Sequence, residues 1–256
     1  MKYSVLTYNI NGYEIMHEIP QEAINDEIEY IYVTDDKSIT SSTWNVVYVD
    51  LSGSTFDKTY QIRFNPFQYC HTDICMRIDG SMAIARDVMP LLKAFEDGGY
   101  DTAMMIHPTR NTMYDEYLAW VQQRNYPAEQ ANKCLSFMAS NGYDVKNYKG
   151  LFQYNFCIQR NNEINNRLND ETYKVLKQLA TAPDTCERLD QTIGSFIINT
   201  HYPDLNIMPV GQYIAFSNMG GYFNWCMHGT DNAMAYNCAY DIEPMMRNHS
   251  VVVWYV

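Results

Sequence analysis

The chain is built on one repeated pattern: a short apolar run halts at polar residues, and a longer segment intervenes before the next run. Tyr3–Ile10 alternates and runs into the turn signal Asn11-Gly12. Tyr30–Val33 stops at Thr34-Asp35-Asp36, Trp44–Val49 at Asp50, Asp73–Ile78 at Asp79-Gly80-Ser81, and Thr102–Ile106 at His107-Pro108. Such runs predict the strands of an α/β sheet, whose ligands gather at the carboxyl ends of the strands. Between and after them the spacing predicts helices over Asp57–Tyr69, Val88–Phe95 (Pro90 in its first turn, Gly98-Gly99 closing it), Tyr114–Gln123 and Ala128–Ala139. Leu151–Ile158 reads as a strand and Asn169–Ala182 and Arg188–Ile198 as helices; beyond Gly211 the signals weaken, and strands or loops are expected there, with Val251–Tyr255 as a candidate last strand.

With no internal repeat, low-complexity tract or Gly/Ser linker, the 256 residues read as a single domain spanning 1–256. Lys and Arg total 18 against 30 Asp and Glu, a formal charge of −12, which disfavours a partner bound through phosphate counterion release and excludes nucleic acid from the expected partners. No run approaches the roughly 18 apolar residues of a membrane span, and the N-terminus reads as a first strand rather than a leader. Seven scattered cysteines without a C-x-x-C pair fit reduced thiols and a cytoplasmic setting.

The residues able to carry chemistry sit where the strands stop. Asp79, followed by Gly80 and Ser81, puts a carboxylate beside a glycine that lets backbone approach closely, an arrangement suited to a divalent cation and the diphosphate of a nucleotide. The polar ends Thr7-Tyr8-Asn9 and Thr34-Asp35-Asp36 leave room for a base and ribose. In the helix before the Asp79 strand, Lys58 and Arg63 are candidate cations, Arg63 for a phosphate, with a solvated helix face as its other reading. His107 and Arg110 face the acidic pair Asp115 and Glu116, either as a set for sugar hydroxyls or as a capping and salt-bridge set around a loop. Asp190 and Gln191 open an apolar segment, where a carboxylate is costly unless it is paired or used; a helix N-cap is the plainer role for Asp190. P-loop, dinucleotide-binding, hydrolase-elbow and zincin motifs are absent.

Taken in order, Gly12-Tyr13, YIYVTDD (Tyr30–Asp36), Trp44, MRIDGSM (Met76–Met82), HPTR (His107–Arg110) with YDE (Tyr114–Glu116), and RLDQ (Arg188–Gln191) resemble a glycosyltransferase-like domain family of bacterial surface-polysaccharide loci and plant wall and mucilage proteins. The similarity covers about residues 3–200. It implies a GT-A-like nucleotide-diphospho-sugar transferase fold, a mixed central sheet flanked by helices, and transfer of a sugar from a nucleotide-diphosphate donor to a polysaccharide or glycoconjugate acceptor. It also implies a donor site of Thr7, Tyr8, Asp35, Asp36, Arg63, Asp79, Gly80 and Ser81, an acceptor or sugar site of His107, Arg110, Asp115 and Glu116, and a catalytic pair Asp190 and Gln191. Asp79 matches the Asp-x-Asp metal motif for Mn or Mg, with Ser81 where the second carboxylate would stand, and His228 is a further metal candidate by likeness to glycogenin-type transferases. The competing expectation is a catalytically silent sugar-nucleotide or glycan-binding module on the same fold.

Overall fold

The computed structural model describes residues 1–107, 109–123, 127–147, 150–180, 189–211 and 221–225. Its strands are β1 (Tyr3–Asn9), β2 (Ile28–Thr34), β3 (Asn45–Tyr48), β4 (Ile74–Ile78), β5 (Met82–Ile84), β6 (Thr102–Ile106), β7 (Phe152–Arg160), β8 (Ile207–Val210) and β9 (Phe223–Trp225). The helices are α1 (Thr55–Arg63), α2 (Met89–Asp97), α3 (Met113–Gln123), α4 (Ala128–Ser140), α5 (Glu163–Leu179) and α6 (Asp190–His201).

Seven strands form one sheet in the order β3-β2-β1-β4-β7-β6-β8, and β5 pairs with β9 in a small second sheet. All neighbours in the large sheet are parallel except those of β7, which runs against both β4 and β6. This is the mixed sheet flanked by helices that the family resemblance implies. From β1 the chain steps outward through β2 and β3, then returns as β4 on the other side of β1. The gap between the ends of β1 and β4 is therefore a topological switch point, where an open α/β sheet offers a crevice.

Both faces of the sheet are covered, as its nearly unbroken burial requires. One carries α2, whose Leu91, Leu92 and Phe95 pack with Val5, Met76, Ile78, Phe156 and Ile158. On the other, Ile62 of α1 packs on Leu6, Tyr8, Ile31 and Val33. Alongside it, α3 to α6 cover β6 and β7 through residues such as Trp120, Met138, Leu176 and Phe196. Asp57, buried near the start of α1, accepts hydrogen bonds from Tyr173 Oη at 2.8 Å and Lys177 Nζ at 3.1 Å and so ties α1 to α5. Gly194 lets α6 lie directly against Tyr154, since a Cβ there would stand 2.0 Å from the tyrosine oxygen.

Two helices and the short strands depart from the sequence reading. The helix expected over 57–69 stops at Arg63, and a separate 3-10 turn follows at Pro66–Gln68, because proline holds Asn65 out of helical geometry at φ −132°, ψ 50°. Helix α5 begins at Glu163, six residues earlier than expected, capped by the Asn162 side chain accepting from Asn165 N at 3.0 Å. The short strands β5 and β8 have no counterpart in the sequence reading, and β9 falls in the stretch beyond Gly211 where strands or loops are expected. Val251–Tyr255 lies outside the described residues. No helix among the described residues is long and apolar enough to cross a membrane.

Candidate active site

At the switch point the carboxyl ends of β1 and β4, helix α1, the start of α6 and the first half of β7 enclose a cleft of about 420 Å³. That is within the range of small-molecule sites. Tyr8 and Asn9 reach it from β1, Asp79, Gly80 and Ser81 from the end of β4, Tyr60 and Arg63 from α1, Gln153 and Asn155 from β7, Trp120 from α3, and Asp190 and Gln191 from α6. Gly80 is required by close packing: a Cβ there would stand 2.8 Å from the Tyr8 carbonyl oxygen.

Arg63 is the hub of the cleft. Its Nε donates to Tyr8 Oη at 2.8 Å, its Nη2 to Asp79 Oδ1 at 2.6 Å and its Nη1 to Asp190 Oδ2. Tyr8 Oη donates in turn to Asp79 Oδ1 at 2.8 Å. The guanidinium also lies against the rings of Tyr8 and Tyr60, 5.8 and 5.5 Å from their centroids. Burial alone would lower the Arg63 pKa, but the charges of Asp79 and Asp190 raise it well above its ordinary value. Burial likewise drives the Tyr8 phenol up, so it remains a neutral donor.

The two carboxylates share a pattern. Each gives one oxygen to Arg63, and among the described residues the other oxygen, Oδ2 of Asp79 and Oδ1 of Asp190, makes no hydrogen bond. Asp190 is the first residue of α6, with Leu189 at the N-cap position, so the plainer sequence reading of Asp190 as the cap does not hold. Its charge stands at the positive end of that helix. For a divalent cation the open Oδ2 of Asp79, whose side chain is 25% exposed, and the Ser81 hydroxyl are available ligands, and the Glu14 side chain lies beside Gly80 in the same lining. No cluster of three or more His, Cys, Asp or Glu side chains converges among the described residues. Such a donor set fits a cation that takes most of its shell from a ligand's phosphates and water. His228 lies outside the described residues.

The other candidates are placed as follows. Thr7 alternates with Tyr8 and turns to the opposite face of the sheet, where it is buried. Asp35 and Asp36 lie one strand away from the cleft lining: Asp35 accepts from Asn11 N at 2.8 Å and Lys58 Nζ at 3.5 Å, and Asp36 closes a turn by accepting from Ser38 N and Oγ at 2.8 and 2.7 Å. Asp115 and Thr112 form a capping box on α3: Thr112 Oγ1 accepts from Asp115 N at 3.1 Å, and Asp115 Oδ2 from Thr112 N at 3.0 Å.

His107, Arg110 and Glu116 sit behind the cleft wall. Glu116, fully buried, pairs with Arg110 Nε and accepts from Trp120 Nε1 at 2.5 Å and Gln191 Nε2 at 3.1 Å. His107 Nδ1 accepts the backbone N–H groups of Thr109 and Arg110 at 3.2 and 3.1 Å, with Nε2 3.8 Å from Glu116 Oε2. This group orients two lining residues, Trp120 and Gln191, from the rear.

Sequence reasoning missed Tyr60, Trp120, Gln153 and Asn155, and two aromatics in the cleft lining, Tyr13 at 54% and Phe56 at 37% exposure. One signal was readable: Leu151–Ile158 (LFQYNFCI) sets two amides two residues apart in an otherwise apolar strand.

No protein-family model matches the chain, and no curated protein matches it. Among solved structures it is similar to mouse xyloside xylosyltransferase 1 in its apo form, at 10% identity and a TM-score of 0.48, over 83% of this chain and 86% of that one.

Proposed function

We propose that the protein is a GT-A-type glycosyltransferase that moves a sugar from a nucleotide-diphospho-sugar to a polysaccharide or glycoconjugate acceptor. The observation that supports this reading is the placement of Asp79, Arg63 and Asp190 in one cleft at the switch point between β1 and β4. In this reading the base and ribose lie toward β1 and β2, the diphosphate at Asp79-Gly80-Ser81, and the sugar toward β7 and α6.

Asp79 Oδ2 and Ser81 would hold a Mn or Mg ion together with the donor's phosphate oxygens, and that ion would offset the charge of the leaving diphosphate. Arg63 fixes one oxygen of each carboxylate and leaves the second pointing at the ligand. Asp190 Oδ1 then takes the proton of an acceptor hydroxyl, or faces the positive charge that develops at the anomeric carbon. A cytoplasmic setting and a role in surface polysaccharide synthesis accompany the proposal.

One observation favours the second reading, a silent sugar-nucleotide or glycan-binding module: Arg63 engages both carboxylates, and only one carboxylate stands at the metal motif. Titration with UDP and GDP, with and without Mn, followed by assay of nucleotide release from the matching sugar nucleotides, separates the two. Binding with slow but measurable release supports the transferase. Binding without release supports the module. No binding tighter than roughly 1 mM, a level worth about −4 kcal/mol, removes the transferase and the sugar-nucleotide module for these two nucleotides and leaves the glycan-binding module.

A further inference from the structure

Strand β7 does not pair regularly. Met104 of β6 pairs with Cys157, yet the next residue, Met105, pairs with Gln153, so Tyr154, Asn155 and Phe156 bulge out of the ladder with β6. Their backbone turns to β4 instead: Asp79 N donates to the Asn155 carbonyl at 2.8 Å, and Arg77 Nη1 donates to the Tyr154 carbonyl at 2.9 Å. Bulges of this kind re-aim side chains, often next to functional sites. Here the bulge sets Asn155 in the cleft lining beside Asp79, with Gln153 two residues away.

The Asn155 side chain is 7% exposed, and neither its Nδ2 nor its Oδ1 has a hydrogen-bond partner among the described residues. A buried amide with both ends unpaired is rare, because each end carries a desolvation cost. The polar groups around it in the cleft are engaged: Arg63 with three partners, Tyr8 with two, Gln191 with Glu116. A ligand reaching Asn155 therefore meets an amide that breaks no hydrogen bond as it swings outward.

We propose that Asn155 reads the transferred sugar, binding a pair of adjacent ring hydroxyls on the donor and so setting which sugar is accepted. The inference rests on the transferase reading above. A sugar hydroxyl both donates and accepts, which matches an amide that offers a carbonyl and an NH2 side by side. A phosphate is a poor match, since Asn155 is uncharged and shares the cleft lining with the carboxylates of Asp79 and Asp190. The strand order separates it from the base as well. Base and ribose belong over β1 and β2, the diphosphate over the end of β4, and β7 is the next strand along.

The test is Asn155→Leu, a substitution of similar shape that removes both polar ends. Wild type and variant are titrated with UDP and GDP and with UDP-glucose, UDP-galactose, UDP-xylose and GDP-mannose, and their thermal midpoints are compared without ligand. The variant is expected to keep the wild-type affinity for the nucleoside diphosphate within about twofold. It should lose at least about tenfold of the extra affinity for the preferred sugar nucleotide. Without ligand its Tm should rise by about 2–4 °C, because an unsatisfied pair has been removed.

A lower Tm makes Asn155 a structural residue and overturns the proposal. Equal losses for the diphosphate and the sugar nucleotide move Asn155 to the base or phosphate and also overturn it, as does unchanged discrimination among the sugars. Failure of the wild type to bind any of the six probes overturns the transferase reading itself, a result distinct from these three.

Discussion

Replacing Arg63 by Met removes the cation that joins the carboxylates of Asp79 and Asp190. The side chains of Arg63 and Asp190 are each 10% exposed and that of Asp79 is 25% exposed, so solvent replaces the lost charge poorly. Two carboxylates bridged by one guanidinium lie roughly 5 Å apart, and at an effective dielectric constant of about 20 they repel by about 3 kcal/mol. The loss of a buried ionic partner is measured at a similar ~3–5 kcal/mol. For a chain of this size about 3 kcal/mol corresponds to a fall in Tm of about 6–12 °C at pH 7.

With Arg63 gone, Asp79 and Asp190 face each other as like charges, so removing one of the two charges should relieve the repulsion. The double variant Arg63→Met/Asp190→Asn should therefore recover most of the loss at pH 7, as read by differential scanning fluorimetry. A fall in Tm below about 2 °C, or a double variant no more stable than Arg63→Met, would refute the view that this cation holds the cleft together.

Asp79→Asn should weaken nucleoside diphosphate binding at least about tenfold in the presence of Mn and hardly at all in its absence; equal losses in both conditions would reduce Asp79 to a partner of Arg63. Asp190→Asn should lower turnover by about 10²-fold with donor affinity nearly unchanged, as measured by steady-state kinetics and calorimetry, and near wild-type transfer would remove it from the chemistry. Burial works to raise the Glu18 pKa, but hydrogen bonds from Ser41, Thr43 and Ser42 together outweigh it and lower the pKa. It therefore contributes stability above the ordinary carboxylate value that is lost as pH falls through the lowered one. Glu18→Gln should accordingly lower Tm by about 2–4 °C at pH 7 and by progressively less below about pH 4.5, and a deficit that persists in acid would contradict this account.

The parts of the fold that were legible in the sequence are those with a strong period. Tyr3–Ile10, Tyr30–Val33 and Asp73–Ile78 are apolar runs long enough to declare a strand, and each sits within two or three residues of its observed element. Met82–Ile84 and Phe223–Trp225 span three residues each and exist because they pair with each other, across more than a hundred residues that no local window contains. The site divides in the same way. Tyr8, Asp79 and Asp190 were identified as residue types at strand and helix ends, which is a local property. That one guanidinium joins all three depends on α1 and α6 meeting over the sheet. His107 and Glu116 were recognised as a polar cluster, but only packing reveals that they support Trp120 and Gln191 from behind. The two amides of LFQYNFCI were visible, while the direction in which Asn155 points depends on a bulge that strand alternation cannot show.

The antiparallel strand beside β4 also constrains the order of events during synthesis. β4 can pair with β1 as soon as both have emerged, but its other edge waits for β7, and Phe152 lies 74 residues beyond Ile78. At about 5–20 residues per second that interval is on the order of 4–15 s. For that time a nascent chain carries a half-built sheet with a bare, apolar edge of Ile74, Met76 and Ile78, an open invitation to pair with a neighbouring chain. The binding cleft, whose last lining residues arrive with Asp190 and Gln191, is absent throughout. Ligand cannot rescue this species, so yield in recombinant expression should respond to chaperone supply and not to added nucleotide.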